Sequence, residues 1–216
     1  MPLAAVLWDM DGLLVDTEPV WTVAEEELAA LLGGKWSDTL KASIVGTRLD
    51  VAVPTILEHY GRPASEAEWA TPWLLDRMVA LFATSLEPLP GAVALLGALH
   101  DAGVPVALVS SSYRVLVDAV LRRGFAFELT VAGDEVGHGK PHPEPYLTAA
   151  TGLGVDPRDC VVLEDSVAGV LSGEAAGCAV VAVPSVPGVA VLPGPRTVVH
   201  ASLAGLDVSS LRDLVG

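Results

Sequence analysis

Five short apolar runs, each ending in small or polar residues, constrain the fold of this chain more than any other feature. They read LAAVLWD, VPVALVSSS, ELTVAGD, CVVLEDS and CAVVAVP. Runs of this length without polar alternation are typical of strands buried on both faces of a parallel sheet. Helical patterns separate them over residues 91–101, 113–123 and 167–176, and a glycine that can end a helix follows each pattern closely. The alternation predicts an α/β fold with a doubly wound parallel sheet.

One long stretch, residues 17–87, interrupts this alternation. Its periodicity is helical throughout, and no convincing strand is found in it. We therefore expect a helical domain inserted after the first strand. Residues 1–16 and 88–216 then form the sheet domain.

Within this stretch, Trp21 and Leu28 recur at helical spacing, while Glu25–Glu27 fall mostly on the other side of the same helix. Pro54 and Pro72 lie inside otherwise helical patterns. Because proline removes a backbone donor, a helix break or a helix start is expected near each of them.

The charge balance excludes two classes of partner. The 216-residue chain has 12 Lys and Arg against 27 Asp and Glu, a formal charge of −15. Such a surface repels nucleic acids and anionic membranes, and an anionic substrate would need local positive charge. The hydrophobic content of 51% supplies a large core. No apolar stretch reaches the roughly 18 residues that a membrane span requires.

The two cysteines, Cys160 and Cys178, are too few for a disulfide framework. Each lies in an apolar run, where a buried thiol is expected. The first residues also lack the basic region of a secretory leader. We therefore expect a cytoplasmic protein. The sequence carries no signal for the oligomeric state, and a monomer is the default expectation.

Polar side chains follow the predicted strands at their carboxyl ends, where ligands bind in an open parallel sheet. Carboxylates there can hold a divalent cation, hydroxyls and backbone N–H groups can bind phosphate oxygens, and a lysine can neutralise charge. The strand-end residues are Asp9 and Asp11 after the first strand, Ser110, Ser111 and Ser112 after the second, Lys140 in a later loop, and Glu164 and Asp165 after the fourth. They predict a phosphate site.

At these positions the motifs DMDG, VALVSSS, GKPHPEPYL and VVLEDSVAG resemble, in order, the four motifs of a known family. It is the haloacid dehalogenase superfamily of phosphohydrolases, in its β-phosphoglucomutase-like subgroup. The resemblance covers the whole chain. It implies a Rossmann-like core whose inserted helical domain is a mobile cap. It also implies Mg²⁺-dependent hydrolysis of a small phosphorylated metabolite, with sugar phosphates, polyol phosphates and nucleoside monophosphates all left open.

The resemblance implies catalytic roles for the two carboxylates of the first motif. Asp9 matches the nucleophile, which forms an aspartyl-phosphate intermediate. Asp11 matches the general acid and base, which first protonates the leaving oxygen and then activates water. Both also match ligands of the metal, Asp11 through its backbone carbonyl.

The other motifs imply residues that hold the metal and the phosphoryl group. Asp165 matches a carboxylate ligand of Mg²⁺, with Glu164 as a direct or water-mediated partner. Ser110, Ser111 and Lys140 match the positions that bind the transferring phosphoryl group. His138 and His142 flank this lysine, but the loop offers no third nitrogen or sulfur ligand at a useful spacing. No metal site is predicted there.

Two residues of the inserted segment are candidates for substrate contact. The family pattern puts a cap arginine at Arg48, which reaches either the substrate or solvent. Trp21 occupies the position at which the β-phosphoglucomutase pattern has a histidine. In this respect the chain is similar to the phosphatases of the subgroup, including those for 2-deoxyglucose 6-phosphate and pseudouridine 5′-phosphate.

Two other functions compete with phosphatase. A phosphomutase would return the phosphoryl group to a sugar instead of giving it to water. A signal-receiver module would accept phosphate on an aspartate without metabolic turnover, but such modules lack a large helical insert. Their phosphate-accepting residue is also not followed by the second acid of D-x-D. We therefore expect a phosphatase, with the phosphomutase as the alternative.

Overall fold

The computed structural model describes residues 3–44, 47–185 and 194–215. The strands are β1 (Ala5–Trp8), β2 (Val106–Val109), β3 (Leu129–Val131), β4 (Cys160–Glu164), β5 (Ala179–Ala182) and β6 (Thr197–Val199). They form one parallel sheet in the order β3-β2-β1-β4-β5-β6. Strands β2 and β3 thus lie on one side of β1, and strands β4, β5 and β6 lie on the other side of β1. This arrangement confirms the predicted doubly wound α/β fold.

Helices cover both faces of the sheet. Val6 and Trp8 belong to one core with helices α5 (Ala92–Asp101), α6 (Arg114–Leu121) and α9 (Val208–Asp213). Ala5 and Leu7 point to the opposite core, which contains α7 (Glu144–Leu153) and α8 (Val167–Ala175). Since both faces are buried, each central strand needs an uninterrupted apolar run.

Five of the six strands coincide with the apolar runs that predicted them, and β6 has no counterpart among those runs. Strand β6 has only three residues and lies at the edge of the sheet. Val199, at its end, is 46% exposed. A short, half-exposed edge strand needs no long apolar run, so the signal that identified the other strands is absent there.

All the helices α1–α4 lie between β1 and α5 in the chain. They are α1 (Glu18–Leu31), α2 (Asp38–Ile44), α3 (Leu49–His59) and α4 (Ala67–Ser85). Helix α4 packs against α1 and α3, and also against α6 of the sheet domain. Among the described residues, no helix combines the length and the apolarity needed to cross a membrane.

The chain enters and leaves this helical segment at the same place. The backbone N–H of Asp16 donates to the Glu87 carbonyl at 2.9 Å, and the N–H of Leu89 donates to the Leu14 carbonyl at 3.0 Å. Val15 and Pro88 form an antiparallel bridge between these contacts. The two crossing segments are therefore tied to each other.

Of the break or helix start predicted near Pro54 and Pro72, the structure shows no break, and each helix begins five residues before its proline. Pro54 lies inside α3 and Pro72 inside α4, and both helices continue through them. In each helix, apolar side chains on both sides of the proline are buried, for example Ala70 and Leu74 in α4. This packing outweighs the loss of one backbone hydrogen bond.

Candidate active site

A cavity of about 550 Å³ lies between the carboxyl ends of the central strands and helices α1–α4. Strand-end residues form its floor, and the helical segment forms its opposite wall. The residues from the sheet domain include Asp9, Asp11, Ser111, Ser112, Lys140 and Asp165. The topology thus brings residues far apart in the chain to one edge of the sheet.

Lys140 occupies the centre of the floor. Its Nζ donates to Asp9 Oδ1 at 2.5 Å, to Glu164 Oε1 at 2.6 Å and to the Val109 carbonyl at 2.9 Å. Its side chain is 3% exposed. The Nζ atom also lies 5.0 Å from the centre of the Tyr146 ring. Lys140 therefore fixes one oxygen of the Asp9 carboxylate.

Burial dominates the electrostatics of this floor. Burial raises the pKa of Asp9 well above its usual range, while the charge of Lys140 opposes that rise. Burial also raises the pKa of Asp165 to about 7. Burial disfavours the charge of Lys140 as well, but attraction to Asp9 and Glu164 outweighs it and raises the lysine pKa. One ammonium therefore faces several carboxyl groups, which leaves negative charge for a cation or a proton to balance.

Three carboxyl groups of this floor fit a divalent cation. Asp9, Glu164 and Asp165 each bring a ligand oxygen within 4.8 Å of the others. A set of oxygen donors suits Mg²⁺ better than softer metals. Asp165 also accepts a hydrogen bond from the Ser185 hydroxyl, which orients its carboxylate.

Glu164 differs from the other two because its oxygens are already occupied. Besides Lys140, Oε1 accepts from the Tyr146 hydroxyl at 2.7 Å. Oε2 accepts from the backbone N–H groups of Asp165 and Ser166 at 3.0 and 3.1 Å, and from the Ser166 hydroxyl at 3.0 Å. The residue is fully buried. Glu164 thus holds Lys140 in place, while Asp9 and Asp165 are freer to bind a metal.

Asp11 faces the cavity with both oxygens hydrogen-bonded. Its Oδ2 accepts from the hydroxyls of Ser110 and Ser112, each at 2.9 Å. Its Oδ1 lies 3.5 Å from the Trp21 indole nitrogen, which donates from helix α1. The helical segment and the sheet domain therefore both contact the Asp11 carboxylate.

The serine triplet after β2 divides into two groups. Ser111 and Ser112 line the cavity, whereas Ser110 is 2% exposed and is not part of the lining. The Ser110 hydroxyl is engaged by Asp11 and by the backbone N–H of Ser112. The motif resemblance assigns no individual role to Ser112 or to Tyr146, although both lie within the quoted motifs.

Arg48 lies outside the cavity lining. Its Nη1 donates to the Val136 carbonyl of the sheet domain at 3.1 Å. Its Nε and Nη2 donate to Asp50 at 3.2 and 3.0 Å. In this structure, Arg48 joins the helical segment to a loop of the sheet domain.

His138 and His142 lie on the surface with Glu144. Ligand atoms of these three residues lie within 4.8 Å of one another, so a carboxylate joins the two imidazoles. The Glu144 carboxylate is already engaged, however. It accepts from the backbone N–H groups of Gly137 and His138 and lies 2.8 Å from His138 Nδ1. The cluster thereby orders the loop that carries Lys140.

A known protein family matches most of this chain. The sequence model of the haloacid dehalogenase-like hydrolases matches residues 3–177. The chain belongs to this family. The expected membership is thereby confirmed.

Two curated relatives of this hydrolase are 38% identical over 191 residues. One is hexitol phosphatase A of Escherichia coli K12, with 82% of this chain and 81% of the relative covered. The other is the bifunctional riboflavin kinase/FMN phosphatase of Arabidopsis thaliana, with 85% of this chain covered. The match spans about half, 49%, of that longer protein.

A solved structure resembles the hydrolase over nearly its full length. It is a mutant of CbbY from Rhodobacter sphaeroides, in complex with xylulose-(1,5)bisphosphate. The TM-score is 0.87 at 26% identity, with 97% of this chain and 99% of the other covered. The fold is thus shared over nearly the whole length of both chains.

Two glycines of the hydrolase make room for the acidic floor. Gly12 has a φ of +75°, and an added Cβ would overlap Asp165 Oδ2. At Gly169 in α8, an added Cβ would overlap the carboxylate of Glu164. Neither position accepts a side chain unless a carboxylate moves.

We expect Gly169→Ala to displace Glu164 and to impair the hydrolase. The added methyl group overlaps the carboxylate that holds Lys140, so overpacking should cost about 1–3 kcal/mol of unfolding free energy. Urea unfolding and activity assays measure the two effects. Gly97→Ala is the matched control, because nothing lies within 4 Å of its added Cβ. Equal unfolding midpoints for the two variants would contradict the expected overlap.

Glu25 is buried, although the helical pattern of the sequence puts Glu25–Glu27 mostly opposite the apolar residues of α1. Glu25 lines the cavity from α1 and is 7% exposed, whereas its neighbour Glu26 is exposed. The Oε2 atom of Glu25 is buried without a hydrogen-bond partner. Burial raises the pKa of Glu25 to about 8; Lys41 opposes this rise and Glu18 adds to it.

This raised pKa predicts a pH-dependent difference in stability between the hydrolase and Glu25→Gln. The folded protein keeps a proton on Glu25 that the unfolded chain loses near the ordinary glutamate pKa of 4.5. The wild type should therefore lose stability relative to the variant as pH rises from about 5 to 8. Urea unfolding across this range measures the difference. Glu26→Gln should show no such trend, and a pH-independent difference for Glu25→Gln would contradict the buried carboxyl.

Proposed function

We propose that this chain hydrolyses a small phosphate monoester, with Asp9 as nucleophile and water as final acceptor. The observation that carries the proposal is the pair of carboxyl groups at the cavity floor. Asp9 is held by Lys140 at 2.5 Å, and Asp11 lies two residues further on with both oxygens hydrogen-bonded. One carboxylate can attack phosphorus while the other moves protons.

In the first step, a free oxygen of Asp9 attacks the phosphorus in line with the leaving oxygen. The bond from phosphorus to that oxygen breaks as Asp11 gives it a proton, which releases an alcohol. In the second step, Asp11 takes a proton from water, whose oxygen attacks phosphorus. The bond between phosphorus and the Asp9 oxygen breaks, which releases inorganic phosphate and restores the Asp9 carboxylate. Proton transfer of this kind contributes typically ~10²–10⁴-fold to the rate.

Other residues of the floor stabilise charge on the phosphoryl group. Lys140 supplies a buried ammonium, and Ser111, which lines the cavity, can donate its hydroxyl to a phosphoryl oxygen. We assign Asp9 and Asp165 as direct ligands of Mg²⁺, with the backbone carbonyl of Asp11 as a further oxygen donor. Bound Mg²⁺ would neutralise part of the charge on the phosphoryl oxygens.

The helical segment is proposed to act as a cap. Residues 17–87 form the cap domain in this proposal, and residues 1–16 and 88–216 form the core domain. Trp21 contacts Asp11 and Arg48 contacts the Val136 carbonyl, which supports a closed arrangement over the site. Such closure would exclude bulk water until the alcohol has formed.

The relatives support a small metabolite as substrate. They include a hexitol phosphatase and an FMN phosphatase, and CbbY was solved with a sugar bisphosphate. The family to which the chain belongs is one of hydrolases, which favours water over a sugar as acceptor. The bulky Trp21 indole in place of a histidine supports the same choice.

A cytoplasmic monomer is the state proposed for this enzyme. Cys160 and Cys178 are free and buried, which supports a reducing compartment. Size-exclusion chromatography with light scattering measures the oligomeric state, and a mass of about twice 22.3 kDa would contradict a monomer.

Phosphate release from a panel of phosphorylated metabolites tests the proposed function. We expect Mg²⁺-dependent release from at least one sugar or polyol monophosphate, and loss of activity in excess EDTA with recovery on adding Mg²⁺. Full activity in EDTA would contradict the metal assignment. Formation of glucose 6-phosphate from β-glucose 1-phosphate and a bisphosphate primer, with little phosphate released, would identify a phosphomutase instead.

A further inference from the structure

Glu25 stands apart from the other polar groups of the cavity. Among the described residues, it is the only one that both lines this cavity and has a fully buried side-chain oxygen or nitrogen without a partner. The neighbouring charges are paired. Lys41 lies 3.0 Å from Glu18 Oε2 and donates to the Thr22 hydroxyl at 2.6 Å.

A buried polar group without a partner costs free energy of folding. The mechanism proposed above uses no group at this position, so the reaction does not account for that cost. A ligand that hydrogen-bonds to the carboxyl group in the bound state would offset it. In its neutral form, which the raised pKa favours at pH 7, Glu25 can both donate and accept.

The position of Glu25 indicates which part of the substrate it would meet. It lies four residues, or about 6 Å of helix, beyond Trp21, whose indole contacts Asp11. Residues four apart share a helix face, so Glu25 faces the same cavity farther from the reacting floor. The remaining wall is largely apolar and includes Ala42, Ile44, Leu49, Ala52, Ile56 and Leu74.

These observations favour a neutral, hydroxylated leaving group. A second phosphate or carboxylate at this end would meet Glu25 and Glu18, while Lys41 is already paired with Glu18. A purely apolar group would leave the Glu25 carboxyl without a partner. A hydroxyl group satisfies it in either direction, as donor or as acceptor.

We propose that Glu25 binds a hydroxyl group of the substrate remote from the phosphate, which makes a sugar or polyol monophosphate the preferred substrate class. This inference rests on the proposed phosphatase function. It adds a specificity-determining residue from α1 to the residues of the floor. The cavity volume of about 550 Å³ is in the range of small-molecule sites.

Steady-state kinetics on two matched substrates tests the inference. Sorbitol 6-phosphate carries hydroxyl groups along a six-carbon chain, and n-hexyl phosphate has the same chain without them. The wild type should prefer sorbitol 6-phosphate in kcat/KM. Glu25→Leu should lower this preference about 10-fold, mainly through KM, because one hydrogen bond is lost. Glu25→Gln should retain most of the preference, since an amide also donates and accepts.

The control variant is Glu26→Leu, which changes an exposed residue of the same helix and should leave both substrates unaffected. Urea unfolding without ligand checks that Glu25→Leu folds. Its midpoint should equal or exceed that of the wild type, because a buried carboxyl without a partner is removed.

The two possible failures are distinguishable. In one outcome, the wild type hydrolyses both phosphates but Glu25→Leu lowers kcat/KM equally for each. Glu25 then does not bind a hydroxyl group of the substrate, and the inference is overturned. A wild-type preference for n-hexyl phosphate would overturn it as well. If the wild type releases phosphate from neither compound nor from any other monoester of the panel, the phosphatase function itself is rejected.

Discussion

Turnover is expected to fall below detection when Asp9 is replaced by Asn. The amide has nearly the same shape as the carboxylate but is a poor nucleophile, so no aspartyl-phosphate can form. The fold should survive, because burial already disfavours the charged form of Asp9 in the wild type. Phosphate release and far-UV circular dichroism measure activity and folding separately.

Asp213→Asn is the matched control for this prediction. Asp213 is an exposed residue at the end of α9, and its substitution should leave activity unchanged. Near-wild-type turnover in Asp9→Asn would remove Asp9 from the nucleophilic role. Loss of folded structure in the variant would instead assign Asp9 a structural role at the floor.

Replacing Lys140 with Met should cause the largest loss of stability. The ammonium lies between Asp9 and Glu164, both buried, and its removal leaves these carboxyl groups without a compensating charge. Breaking a buried pair in this way typically costs about 3–5 kcal/mol. Activity should also be lost, because the substrate phosphate loses its buried cation. Urea unfolding at pH 7 measures the effect on stability.

The sign of the pH dependence provides a further check on Lys140→Met. Without the lysine, the carboxyl groups are expected to keep protons in the folded state that the unfolded chain releases. The deficit in stability should therefore shrink as pH falls toward 5. Lys35→Met, at an exposed position, is the control and should change stability by less than about 0.5 kcal/mol. A Lys140→Met variant that behaves like this control would contradict the central role of Lys140.

The sheet and the composition of the floor can be predicted from sequence because they depend on strong local signals. A strand buried on both faces needs a continuous apolar run, and the residue that follows it lies at the carboxyl edge of the sheet. For this reason the apolar runs alone place Asp9, Asp11 and Asp165 near one another. The role of Lys140 follows from the motif resemblance.

The hydrogen-bond pattern within the floor cannot be predicted in this way. Sequence does not tell which of Ser110, Ser111 and Ser112 faces the cavity, because adjacent residues after a strand can turn in several directions. It also does not show that Glu164 is fully enclosed by donors. The enclosure of Glu164 depends on Tyr146, whose hydroxyl approaches from helix α7.

The burial of Glu25 could not be predicted from the sequence for a different physical reason. Helical periodicity separates apolar from polar faces on the assumption that the polar face meets solvent. Helix α1 has part of its acidic face against an enclosed cavity instead, as the burial of Glu25 beside exposed Glu26 shows. A similar limit applies to Pro54 and Pro72, where packing with neighbouring helices overrides a local preference.

The backbone pairing at the two ends of the helical segment bears on how such a chain can evolve. Asp16 and Glu87 are joined by a backbone hydrogen bond, so both ends of the helical segment meet at one point of the core. A change in length between these points does not have to move a strand, because every described strand lies outside the segment. Substrate preference can therefore diverge within the segment while the residues that perform the chemistry are inherited without change.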